Sequence, residues 1–76
     1  MNIVKKMLIN YDSKHDLLYI RLDSRKQQLI NRRVTDDLVL DIGEDEKIVG
    51  IEIMDASEHI NLHELLPAEY GLQHAV

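Results

Sequence analysis

Apolar and polar residues alternate with a period of two in several short runs of this chain, and that pattern constrains the fold more than any other feature. Successive side chains of a strand point to opposite faces, so such runs fold as pleated strands with at least one apolar face. In Met7 to Asp12 the residues Met7, Ile9 and Tyr11 share a face; in Leu17 to Leu22, Leu18, Ile20 and Leu22 share one face and Leu17, Tyr19 and Arg21 the other. Leu38, Leu40 and Ile42 form a third apolar set, and Val49, Ile51 and Ile53 a fourth. Between them, Leu29 to Val34 has a weaker pattern around Asn31, Arg32 and Arg33. It reads as an edge strand, whose charges discourage further pairing.

The polar stretches Asp12 to Asp16, Asp23 to Gln28, Asp36-Asp37 and Gly43 to Lys47 separate these runs and supply hairpin connections. After Ile53 the alternation stops. Asp55-Ala56-Ser57-Glu58 and Asn61-Leu62-His63-Glu64 each have the form of a capping box, in which the leading side chain accepts from an amide three residues on. Two helix starts this close predict one short turn and then a second helical piece, ended by Pro67. Ile60, Leu62, Leu65 and Leu66 would lie against the sheet, with Glu58, Glu64 and Glu69 in water. The expected fold is α+β: a four- to five-stranded antiparallel β-meander with a C-terminal helical segment packed on one face.

With 76 residues the chain has room for one domain, residues 1–76, with 1–6 as an N-terminal extension and 67–76 as a flexible tail. A chain this short buries only about 60–65% of the surface it exposes when unfolded. Small scaffolds therefore lean on disulfides, a metal or a partner subunit, and the absence of cysteine removes the first and any thiolate metal site. Oligomerisation is the remaining supplement. A hydrophobic fraction of 45% with 30% charged residues excludes wholesale disorder. The net charge of -5 argues against nucleic acid as a partner, because phosphate affinity comes from lysine and arginine. No apolar run is long enough for a signal peptide or a bilayer span, so the expected location is the cytoplasm, with no membrane association.

Tyr11-Asp12, Asp16, Leu18-Tyr19-Ile20-Arg21-Leu22, Leu40-Asp41 and, above all, the run from Ile48 to Ser57 give the chain a recognisable pattern. From about Met7 to Leu66 it resembles the bacterial domain-of-unknown-function family twenty-two eighty-three. The resemblance implies a short single domain with strands and a C-terminal helix. It implies no catalytic activity, and it makes an antitoxin-like or binding-partner role conceivable. Two departures stand out. The turn before Ile48 lacks the family's usual glycine near Glu46, which suggests that the left-handed residue has shifted to Gly43. Arg33 stands where an acidic residue is commoner.

Several residues invite a chemical reading and are better explained without one. His59 and His63 have the spacing of paired zinc ligands, but the Asn61 cap predicts a break between them and no third ligand stands at a telling distance. Asp36, Asp37, Asp41, Glu44, Asp45 and Glu46 make the middle of the chain acidic, yet turns attract aspartates because their side chains cap local amides. Glu52 lies mid-strand beside Gly50, and Arg21 shares its face, which predicts a weak cross-strand ion pair. Gly50 inside a strand predicts a bulge or a close approach from that face. No serine sits in a glycine-rich elbow and no glycine loop cradles a phosphate. The expectation is no catalytic residue, no metal and no cofactor.

The second sheet face is the expected interaction surface. Leu17, Tyr19, Val39, Ile48 and Met54 point away from the helix-covered side, and a monomer of this size should not leave them all in water. Tyr70 and Leu72 in the tail extend that surface. The partner expected is a second copy in a homodimer, or a small partner protein. The leading functional expectation is a non-enzymatic protein-interaction module; the alternative is a small ligand-binding domain or enzyme that uses the acidic turns, Glu52 and the histidines.

Overall fold

The computed structural model describes residues 8–66. Its strands are β1 (Leu8–Asp12), β2 (Leu17–Arg21), β3 (Ile30–Arg33), β4 (Leu38–Ile42) and β5 (Ile48–Met54), followed by two single-turn helices, α1 (Ala56–His59) and α2 (Leu62–Leu65). All pairings are antiparallel, and the strands lie in the order β1-β2-β5-β4-β3. The α+β class and the five-stranded antiparallel sheet are as the alternation requires. Met7, Pro67, Glu69, Tyr70, Leu72 and the proposed extension and tail lie outside the described residues.

The strand order corrects one expectation. In a strict meander β3 would pair with β2; here β5 takes that place and the 22–29 connection crosses to the far edge. It has to span three interstrand spacings, about 14 Å, which eight residues cover easily. The connection is tied down as it goes. The amides of Leu22 and Asp23 both donate to the Val49 carbonyl, and the Arg21 guanidinium donates to the carbonyls of Asp23 and Arg25. Farther on, the Gln27 side-chain oxygen accepts from the Glu44 amide at 2.8 Å. Leu22, leaving the strand, is 44% exposed and does not continue the face of Leu18 and Ile20.

Register sorts the side chains into rows across the sheet. Tyr11, Leu18, Ile53 and Leu38 make one row on the first face, and Ile9, Ile20, Ile51, Leu40 and Arg32 the next. The helical segment covers this face. Tyr11, Leu18, Ala56 and Leu66 form the buried cluster, with Ile9, Ile20, Ile53, Ile60, Leu62 and Leu65 packed around it. The side of the helical segment that carries Ile60, Leu62, Leu65 and Leu66 is therefore the one read from the sequence, and the helix breaks at Ile60-Asn61 as the second start predicts.

Between Asp41 and Ile42 the ladder slips: Asp41 pairs with Gly50 but Ile42 with Ile48, leaving Val49 as the extra residue of a β-bulge. Val49 is fully buried beside Gly43. Gly43 does not have the left-handed backbone expected of it, since its φ is -98°. The left-handed residues of this turn are Asp45 (φ 63°) and Glu46 (φ 61°). Gly43 is instead a packing glycine, because a Cβ there would meet the Gln27 side chain and the Val49 methyl.

Candidate functional site

The helix caps are not the ones the sequence suggested, and the difference defines the first polar cluster. Asp55 sits in a left-handed conformation (φ 51°) and neither it nor Asn61 makes a side-chain cap bond. Asp16, the last residue of the β1–β2 turn and itself left-handed (φ 52°), caps α1 from across the fold. Its carbonyl accepts from the Ala56 amide at 2.9 Å. Its carboxylate accepts from the Ser57 amide at 3.0 Å, from the Ser57 hydroxyl at 2.6 Å and from the Tyr11 hydroxyl at 2.8 Å. Sequence reasoning missed this because the partners are 41 residues apart. The signal available was a polar residue at a turn end with no local role of its own.

The electrostatics follow. The Ser57 hydroxyl bond, more than any other contact, holds the Asp16 carboxyl below its ordinary range; burial opposes it and the Tyr11 bond assists it. Burial, reinforced by the bond to Asp16, pushes the Tyr11 phenol up to about 12. Next to this cluster, Tyr11, Ser57, Ile60, Asn61, Leu62, His63 and Leu66 line an open concavity of about 560 Å³. Of the three hydroxyl-bearing residues that line it, Tyr11, Ser13 and Ser57, Tyr11 and Ser57 are committed as donors to Asp16.

The second face carries a matching cluster. Tyr19 stands opposite Glu52 and reaches diagonally over Gly50, so that its hydroxyl donates to Asp41 at 2.9 Å. Asn31 on β3 donates to the other Asp41 oxygen at 2.5 Å. Asp41 is 8% exposed, a buried carboxylate with a neutral donor on each oxygen. Gly50 makes this possible: a Cβ there would overlap the Tyr19 hydroxyl and come within 2.9 Å of the ring carbon that bears it. The close approach and the bulge expected of Gly50 are both present. Burial, then the bond to Asp41, raises the Tyr19 phenol above its ordinary value.

The expected Arg21–Glu52 pair does not form. Register places Arg21 opposite Gly50 and Tyr19 opposite Glu52, and the Arg21 guanidinium turns to the 22–29 connection. Of the proposed interface residues, Leu17 and Met54 stand opposite each other, both half-buried, and Tyr19 is half-buried in the cluster just described. Val39 is 8% exposed and already covered within the chain, whereas Ile48, beyond the bulge, is 46% exposed. His59 meets Asp37 at 2.9 Å, and His15 meets Asp12 at 2.7 Å in the first turn. No group of three or more histidine, aspartate or glutamate residues among the described residues is placed to hold a metal ion.

These features define a small α+β domain whose single sheet is locked on each face by a tyrosine–aspartate hydrogen bond. The chain belongs to the DUF2283 family, described as a protein of unknown function, whose model matches residues 8–57. The match takes in both clusters and stops at Ser57, the residue Asp16 caps. A curated Methanosarcina mazei protein with the provisional name hypoxanthine phosphoribosyltransferase is 38% identical over 53 residues, which is 70% of this chain and 42% of that protein. The chain thus spans less than half the length of that relative. No solved structure matches.

Proposed function

We propose that this chain is a non-enzymatic protein-interaction module of the cytoplasm that works as a homodimer or with a small partner protein, an antitoxin-like role being one form of it. The dispersal of its reactive side chains carries the reading. Glu44, Asp45 and Glu46 lie exposed on one turn, Asp36 on another, and Asp37 is taken by His59. Asp41 is buried in a structural bond, and Ser57 and Tyr11 are bound to Asp16. A catalytic site needs such groups gathered within reach of one reacting atom. Meanwhile Leu17 and Met54 remain half-exposed at one end of β5, and Ile48 is exposed at its other end, beyond the bulge. Light scattering tests the dimer, which is expected to persist at micromolar concentration; a monomer at high micromolar concentration counts against it. Affinity capture from the native host tests the module, and recovery of no protein partner contradicts it.

The alternative, a small ligand-binding domain or enzyme, draws on the concavity beside Ser57 and His63. The relative's provisional name would make a phosphoribosyl compound the ligand. Phosphate binding commonly uses backbone amides in a glycine loop at a helix start. Gly43 and Gly50 are both packed under side chains and offer none.

A further inference from the structure

We infer that the outer edge of β3 is a docking edge for an acidic, extended polypeptide segment, which pairs with it as an additional antiparallel strand. This rests on the interaction-module reading and names a surface and a partner chemistry for it. All four β3 residues are exposed, and the flanking Val34 is 53% and Ile30 64% exposed.

Backbone bonding fixes which groups face outward. The Val34 amide donates to the Leu38 carbonyl at 2.8 Å. Antiparallel pairs alternate between bonded and non-bonded, so Val34, Arg32 and Ile30 turn their amides toward β4 and Asn31 and Arg33 turn theirs away. Those outward amides and carbonyls are the template that an added strand uses.

Charge selects the partner. The chain carries a net charge of -5, yet residues 24–34 contain Arg25, Lys26, Arg32 and Arg33 and no acidic residue. Arg32 shares the row of Leu40 on the first face and Arg33 that of Val39 on the second, so each face of the edge carries one guanidinium. That of Arg33 is held toward the next turn by its bond to the Asp36 carbonyl at 2.7 Å, and no carboxylate among the described residues is paired to either. A second copy of β3 would bring arginines against arginines, and like charges across a strand pair are destabilising. A strand with a carboxylate on each face, flanked by apolar residues opposite Ile30 and Val34, is complementary in both respects. Single-stranded nucleic acid is the weaker fit, because 22–37 has no aromatic side chain for a base to stack on.

The probe is a short peptide whose central residues run valine, glutamate, glutamate, threonine, valine, so that in antiparallel register the glutamates fall opposite Arg33 and Arg32. NMR titration is expected to shift β3 resonances selectively and to slow hydrogen exchange at the Asn31 and Arg33 amides. Arg32→Glu/Arg33→Glu is expected to weaken binding about tenfold or more. Arg33→Pro, which deletes an outward amide that the inner ladder does not use, is expected to weaken it beyond Arg33→Gln. The inference is overturned if a peptide with lysines in place of the glutamates binds equally well, if the shifts fall on the Leu17–Met54 face, or if only an oligonucleotide protects β3. Host capture separates the two levels. If Arg32→Glu/Arg33→Glu retains the same proteins as the unaltered chain, the edge is wrong and the module stands; if the unaltered chain retains none, the module itself fails.

Discussion

The two flanks of this sheet are built on opposite terms. At the β1–β2 flank the carboxylates of the turn are put to use: Asp12 caps the Lys14 and His15 amides, and Asp16 caps α1 and takes the Tyr11 hydroxyl. Apolar residues beneath it are buried by the helical segment. At the β3 flank no helix among the described residues covers the edge, the side chains are exposed, Asn31 ties inward to Asp41, and Arg33 bonds only to carbonyls of the adjoining turn. The contrast separates residues that make the domain fold from those left available to something else. The first flank should be costly to alter and the second nearly indifferent.

The largest effect is expected at Asp16. Asp16→Ala removes three side-chain bonds, two of them from Ser57 across the fold and one from Tyr11 within the hairpin, and should cost about 2–4 kcal/mol in urea denaturation. Asp16→Asn, which tolerates the left-handed backbone, should cost less. Gly50→Ala should follow, at about 1–3 kcal/mol, because the new methyl displaces Tyr19 from Asp41. If that overlap is the cause, adding Gly50→Ala to a Tyr19→Ala background costs clearly less than adding it to the unaltered chain.

Tyr11 and Asp16 predict opposite pH limbs. The Asp16 carboxyl is held below its ordinary 3.8 in the fold, so its contribution is present above that value and is lost as pH falls below it through the depressed value of the folded state. The Tyr11 phenol is raised, so its contribution is complete below 10.0 and is lost as pH rises toward about 12. Tyr11→Phe should cost about 1–1.5 kcal/mol near neutrality and should reduce the alkaline limb to the part that the raised Tyr19 phenol supplies, while leaving most of the acid one. Thermal melts across pH check both. Glu46→Gly should stabilise by about 0.5–1 kcal/mol, since glycine occupies a φ of 61° without the strain a side chain brings. At the other flank, Val34→Thr should stay within about 0.5 kcal/mol.

The strands and the covered face were legible because alternation encodes both directly: Leu18, Ile20, Ile51 and Ile53 declare their side by parity alone. Strand order was not, because a connection of eight residues can close a hairpin or cross the sheet, and nothing in Asp23 to Gln28 says which. The caps were misread for a related reason. Asp55-Ala56-Ser57-Glu58 has the local form of a capping box, but the first amides of α1 are satisfied by Asp16, a partner distant in sequence and visible only once the turn is folded against the helix. Gly50 announced a close approach without naming the Tyr19 hydroxyl that makes it. Likewise, the missing glycine at Glu46 was legible, but its consequence falls on Asp45 and Glu46 themselves and not on Gly43.

Native-state hydrogen exchange on the isolated chain compares the flanks directly. The Ala56 amide, bonded to Asp16 in the core, and the Leu18 and Ile53 amides of the buried face should exchange only through large-scale unfolding, whereas the outward Asn31 and Arg33 amides should exchange orders of magnitude faster than their neighbour Arg32. Uniform protection across β3, or an Ala56 amide that exchanges as fast as Arg33, would contradict the division of the molecule into an anchored flank and an open one.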